Sequence, residues 1–537
     1  MAARRLLIAY ALVNALLYST LLPLWEGFDE PFHFGYAQQL ASGQGLPDAG
    51  TARLSGEVGA SLLLAPASPP VKQNLPQVIS FGDFFSWPES RRQEIRKQLD
   101  QLPPDLRLRS SQFLNYEAQH PPLAYLLLAV PERIFARVPL PARVAILRII
   151  AAGAGALFLL AGAERLFSQL GLAELYKTAA LFCTLSSQML WATLAHVGND
   201  WLAVPLAVWT LVALNRTGYR AAFYLAAGLL TKAYFLCLIP LLIGVYALQR
   251  RWRDLAIASA ILCGIAGPWY ARNVLLYGDL TGMQEGRAGI GIRAVVRNIA
   301  MPHWPAVIGF TARTSVWTGN NSFRTFSSGT VDLILGAGIL ALILWAASRH
   351  TRAEWITCGY CALFLAAMGY YTVVSCVHTH GASKGPEPWY AQVLLAPLLG
   401  LAMLGASRFG TPGFGASGWR SIGPLTAAIL VLISGYILSA TYFVKLIPLY
   451  GGYEARTSLA GVASLYIHQA GTLSSNLNTV TMAPAAVIFL LSGAIVVLIA
   501  IQQIALIGRL FSSWSEPGAS SAQRLSADGA AAPQYSR

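Results

Sequence analysis

Long apolar runs alternate with short polar breaks along most of this chain, and the main exception comes early. The first run, from Leu6 to about Leu24, reaches the ~20 residues that a spanning helix needs. It opens behind MAARR and no small-residue cleavage site follows it, so it reads as a retained helix with its arginines in the cytoplasm. A largely polar stretch then fills roughly 25–142. Further apolar runs lie at about 143–165, 178–197, 201–215, 220–233, 234–249, 254–271, 330–347, 354–376, 391–407, 421–445 and 482–508, which makes about twelve helices in all. The pattern predicts an all-α polytopic membrane protein with one transmembrane domain over 1–510. No large soluble C-terminal domain is expected, and 511–537, rich in Ser, Ala, Gly and Pro, reads as a disordered cytoplasmic tail.

Sidedness follows from the short basic connections. Those holding Arg165/Lys177, Arg216/Arg220, Arg250/Arg251/Arg253, Arg349/Arg352 and Arg408/Arg420 all fall on one side with both termini, and that side is cytoplasmic by the positive-inside rule. The stretches 25–142, 272–329, 377–390 and 446–481 then face outward. The segment QHPPLAYLLLAVPERIF, Gln119 to Phe135, is apolar for only about ten residues and carries prolines at both ends. If it spanned, the basic connections after it would change sides, so it reads as an interfacial or re-entrant helix on the outer face.

Composition narrows the class. Of 537 residues, 55% are hydrophobic and only 12% charged, against about 25% in soluble domains, so the chain is built for lipid. The net charge of +14 comes mostly from arginine and is spread among apolar runs, which argues against nucleic acid and fits anionic headgroups or phosphate-bearing substrates. The six cysteines sit in apolar stretches, so no disulfide framework is read, and the C-x-x-C of Cys358 and Cys361 reads as helix packing. No P-loop, no G-x-G-x-x-G after a strand and no D-x-D is found.

The chemistry-bearing stretches are few. LWEGFDEPFHFGY (24–36) sets Asp29 and Glu30 behind the first run, and HPPL with a following tyrosine closes the first polar stretch. HVGND (196–200), GLLTKAYFL (228–236) and PWYARNVLLYGD (268–279) follow. A first helix, a long outward loop opening with an Asp-Glu pair and HPPL at its end together resemble the GT-C superfamily of integral membrane glycosyltransferases. Within it the pattern is nearest the protein mannosyltransferase and aminoarabinose transferase group and bacterial relatives with a DEP-x-H signature. The resemblance covers most of residues 1–400. It implies transfer of a sugar from a polyprenyl-phosphate donor to a hydroxyl or amine of a lipid, glycan or protein acceptor, at the extracytoplasmic face of a bacterial inner (plasma) membrane. The reading from another class is a transporter or flippase of lipid-linked sugars. That would call for paired repeats and charges near the bilayer midplane, and here the charges gather at outer helix ends.

With that resemblance the residues take expected roles. Pro31 as first helical residue would place Glu30 at the N-cap and Asp29 just before it, where the helix dipole favours ionised carboxylates. Asp29, with Glu30 beside it, is the expected catalytic carboxylate, accepting the acceptor's proton; the plain alternative is a helix cap. His33, at i+4 from Asp29, and Asp200 are expected substrate-binding residues. A divalent metal is left open, with Asp29, His33 and Asp200 as its candidates and no other cofactor expected. Lys232, a lone cation between apolar runs, is expected on the donor phosphate, with snorkelling to the interface as the alternative. Arg272 and Lys384 are the next cations on that side. Trp389 and Tyr390 suit a sugar ring or the aromatic belt. His378 and His380 alone are too few to define a metal site.

Overall fold

The computed structural model describes residues 2–515 except 70, 72–74, 76, 217, 288, 319–327, 382–384, 410–421 and 454–458; the expected tail lies almost entirely outside these. Helices dominate, and the only strands among the described residues form two short pairs, Arg53–Ser55 antiparallel to Ser110–Leu114 and Pro66–Ala67 parallel to Ile79–Ser80. Among the described residues six helices are long and apolar enough to cross a membrane: Leu140–Gln169, Gly329–Ala346, Arg352–His378, Pro388–Phe409, Ile422–Tyr450 and Ala485–Ser512. Trp252–Ile265 and Gly267–Tyr277, bent by 50°, make a seventh if taken as one span. The architecture is that of an all-α polytopic membrane protein.

Each apolar run carries helix, but hydropathy does not see every break. The run 178–197 is two helices, Glu174–Leu185 and Gln188–Leu194, because the Ser187 hydroxyl caps the second through the Leu190 N–H. The two runs 220–233 and 234–249 fold as Arg220–Leu229, Ala233–Leu238 and Ile239–Leu248, with the break just before the expected boundary. In the gap, Lys232 is extended at φ −155° and ψ 134°, and the Leu230 carbonyl accepts the N–H of Leu123 at 2.9 Å. A broken helix end is thereby joined to the polar stretch.

Small residues let the helices approach. A side chain at Gly155 would meet the Trp201 carbonyl at 2.7 Å, and one at Gly162 would meet the Trp209 ring at 3.0 Å, so Leu140–Gln169 packs directly on Asp200–Leu214.

The polar stretch 25–142 folds into a cap tied to this bundle by buried charge. Arg143, at the start of Leu140–Gln169 and fully buried, reaches Glu57 at 2.6 Å and also pairs with Glu132. Gln38 and Arg107 complete the bonds of Glu57. Removing one partner of such a group would strand a buried charge, which fixes how the cap is seated. The helix Leu123–Ile134, twelve residues long, is too short to span and leaves Leu126, Leu127, Val130 and Ile134 exposed on one side.

Candidate functional site

The first helix, Ala2–Leu21, ends in a tight turn that aims two carboxylates in different directions. Asp29 is in the left-handed region at φ 53°, which a short polar side chain tolerates. Asp29, and not Glu30, is the N-cap of the helix Glu30–Ala41, with Glu30 first and Pro31 second; proline fits either of the first positions, and the left-handed turn moves the cap back by one. The Asp29 side chain makes no cap hydrogen bond. Instead the Tyr116 hydroxyl donates to its Oδ1.

Glu30 is fully buried and saturated. Arg148 Nε donates to its Oε1 at 2.7 Å, the other Arg148 nitrogen pairs with Oε2, and the Val197 N–H donates at 2.9 Å. Arg148 also donates to the carbonyls of Leu22 (2.6 Å) and Pro23 (2.8 Å), which closes the end of the first helix. Glu30 therefore holds the turn, whereas the Asp29 carboxyl is met by the Tyr116 hydroxyl.

A second group of residues closes on Asp29 from the segment 116–125. Glu117 Oε2 lies 2.7 Å from His120 Nε2 and 3.4 Å from His33 Nδ1, and His33 Nδ1 is 2.7 Å from the Tyr125 hydroxyl. Burial, followed by the negative charge of Glu117, raises the Asp29 carboxyl to about 6. Burial pulls Glu117 upward too, but His33, His120 and Lys232 outweigh it and hold it at about 2. His33 is pushed down to about 3, mainly by burial, so its ring is neutral in the working range.

Lys232 and Asp200 form a buried ion pair beside this group, with Nζ 2.7 and 2.6 Å from the two carboxylate oxygens. Asp200 thus spends its charge on Lys232, and the N-cap of Asp200–Leu214 is Asn199. Lys232 Nζ also sits 4.8 Å from the Tyr390 ring, and it is near enough to act on the charge of Asp29, His33 and Glu117. Trp389 stacks on Phe28 at 4.4 Å, which lays the turn 387–390 over the residue preceding Asp29. Glu387 in that turn is raised to about 7 by burial and by Asp29.

Of the residues singled out in the sequence, the structure brings together Asp29, Glu30, His33, Asp200, Lys232, Trp389 and Tyr390. Arg272 is engaged one layer away, bonded to Asp48 at 2.9 Å and lying against Trp269 and Tyr277. Lys384 lies outside the described residues. Among the described residues no three His, Cys, Asp or Glu side chains are arranged to hold a metal ion. Asp200 is committed to Lys232 and His33 to Tyr125 and Glu117, so Asp29, His33 and Asp200 do not converge as ligands and no step is assigned to a metal. Tyr116, Glu117 and Glu387 were given no role in the sequence, and His120 was read only as part of the HPPL stretch. The usable signal was a glutamate and a histidine three apart just before the Pro-Pro pair, and a second carboxylate-proline step in PEPWY that repeats the one in DEPF.

The segment that carries Trp389 and Tyr390 continues into an apolar cavity of about 470 Å³, lined by Trp304, Ile308, Leu335, Leu365, Met368 and Leu398 among others. Pro386, Ala391 and Gln392 line it from the side of the site. The Gln392 Oε1 and Thr311 hydroxyl are buried at its wall without a protein hydrogen bond.

No protein-family model and no curated protein matches this chain. Among solved structures it is similar to the crystal structure of ArnT from Cupriavidus metallidurans bound to undecaprenyl phosphate, with 15% identity and a TM-score of 0.41 over 94% of this chain and 77% of that one. It is also similar to the apo state of that protein, with 16% identity and a TM-score of 0.34 over 84% and 75% of the two chains.

Proposed function

We propose that this chain is a membrane glycosyltransferase that moves a sugar from a polyprenyl-phosphate donor to an acceptor hydroxyl or amine at the extracytoplasmic face. One observation carries the reading: Asp29, a partly open carboxyl in the turn after the first helix, lies within electrostatic reach of the buried cation Lys232. From there the segment 386–392 leads into an apolar cavity. The motif resemblance points the same way.

The chemistry is a single displacement with inversion. The acceptor's O–H or N–H gives its proton to Asp29 as the acceptor atom bonds to the anomeric carbon, while the bond from that carbon to the phosphate oxygen breaks and its electron pair leaves with the phosphate. Lys232 faces the charge that grows on that oxygen. The first isoprene units of the donor fit the apolar cavity, and its phosphate stays at the headgroup layer. Glu30 and Arg148 keep the turn in register, a positioning duty that complements the direct role of Asp29.

The test is transfer of radiolabel from a panel of polyprenyl-phosphate sugars into membrane acceptors, with Asp29→Asn as the comparison. Loss of about 10²–10⁴-fold in turnover in a folded Asp29→Asn protein supports the base, and near-normal turnover removes it.

A further inference from the structure

Asp29 meets the segment 116–120 in two ways, a hydrogen bond from Tyr116 to one oxygen and the nearby charge of Glu117. The Tyr116 hydroxyl points at Oδ1. The next residue, Glu117, is buried and has two imidazoles as its close partners, His120 at 2.7 Å and His33 at 3.4 Å, without the arginine that clamps Glu30. A rigid element holds both: Asn115 caps the turn Tyr116–Gln119 through the Glu117 N–H at 3.1 Å, and its own Nδ2 donates to the Phe32 carbonyl at 3.0 Å. The turn therefore moves with the helix that Asp29 begins.

We propose that Tyr116 and Glu117 are positioning residues that decide which oxygen of Asp29 takes the proton and how readily it does so. Tyr116 engages Oδ1, so on this proposal the acceptor's proton goes to Oδ2. By donating to the charged carboxylate it also favours that form, whereas the negative charge of Glu117 favours the protonated one. The two act with opposite sign. Other charged or titratable groups act on Asp29 as well: Lys232 from the helix break, His120 from the same turn and Glu387 from the turn 387–390, while His33 and Glu30 lie on its own helix. Glu30 is already neutralised by Arg148 and His33 is neutral, so Tyr116 and Glu117 are the pair whose removal is read most directly at Asp29.

The proposal rests on Asp29 as the general base, and its test avoids turnover so that the two can fail separately. Dicyclohexylcarbodiimide modifies protonated carboxyls in apolar surroundings. Its extent at Asp29, separated from Glu30 by fragment mass spectrometry, is followed against pH on the full chain in detergent. The parent should show a midpoint near 6. Glu117→Gln should move it down and Tyr116→Phe up, each by about one unit, while Glu117→Asp, which keeps the charge, stays near the parent. Unmoved midpoints in folded Glu117→Gln and Tyr116→Phe overturn the proposal and leave the base assignment to the Asp29→Asn turnover. If one variant does not fold, the direction of shift in the other decides.

Discussion

Lys232 and Asp200 are 32 residues apart in sequence, yet the ammonium touches both oxygens of the carboxylate in a site only a few per cent exposed. Snorkelling would carry a lone lysine to water; this one stays inside, compensated by a single acid. A donor phosphate would join the pair from the side of Tyr390, whose ring lies 4.8 Å from the lysine Nζ.

Lys232→Ala should weaken binding of undecaprenyl phosphate about ten- to a hundredfold, since a charge-assisted contact is worth roughly 1.5–3 kcal/mol. The variant strands Asp200, so its stability falls as well. The double variant Lys232→Ala/Asp200→Asn removes that complication: it should regain melting temperature without regaining affinity in a nanodisc titration. Parent-like affinity in the double variant would show that the lysine serves the fold alone.

The Glu30–Arg148 pair makes a contrasting prediction. Arg148→Met leaves a buried carboxylate and three carbonyls without their donor, and breaking such a pair costs about 3–5 kcal/mol. Thermal unfolding in detergent should show a large loss for Arg148→Met and a smaller one for Glu30→Gln, whose amide oxygen can still accept from Val197. Equal melting temperatures for all three proteins would be incompatible with the clamp.

The sequence showed the helices and the two ends of the site unevenly, for physical reasons. Period and hydropathy located the apolar helices because burial in lipid tolerates few polar residues, though six or seven of the described helices, against about twelve expected, are long and apolar enough to span. The break at Ser187 escaped because a cap changes backbone angles without changing hydropathy, whereas the break at Lys232 falls next to the expected boundary between 220–233 and 234–249. Asp29 was legible as a carboxylate at a helix mouth, and Lys232 as a charge in apolar surroundings. Their partners were less so: Asp200 was expected on substrate and is spent on Lys232, His120 was read only within HPPL, and Tyr116 and Glu117 looked like ordinary members of a polar loop. Only the fold brings that loop back over residue 29.

Topology is checked independently of chemistry. Ser90 and Leu108 are exposed on the cap, and Ser168 is exposed where Leu140–Gln169 ends at the opposite, basic side. Cysteines at Ser90 and Leu108 should react with a membrane-impermeant maleimide in intact spheroplasts, and one at Ser168 only after lysis. The reverse pattern would put the site on the cytoplasmic face and remove a donor presented on the outer leaflet.

The last prediction concerns pH. A base is useful only when ionised, and Asp29 has its proton equilibrium raised to about 6 by burial and by Glu117. Its folded value lies above that of a free aspartate, so turnover should be full well above 6 and fall tenfold per unit as pH drops below it. Glu117, held near 2, stays charged across that range, and His33, near 3, stays neutral, so neither adds a limb there. The stability effect has the opposite sense: ionised Asp29 is disfavoured by the fold, so this group stabilises the protein as pH falls from about 6 towards 4. Activity and melting temperature should therefore part company over that interval at this residue. Asp29→Asn should abolish the residual pH dependence of turnover near 6 and flatten the corresponding rise in melting temperature. A limb near 6 that survives in Asp29→Asn would belong to another group, and the carboxyl behind the first helix would lose its role as the base.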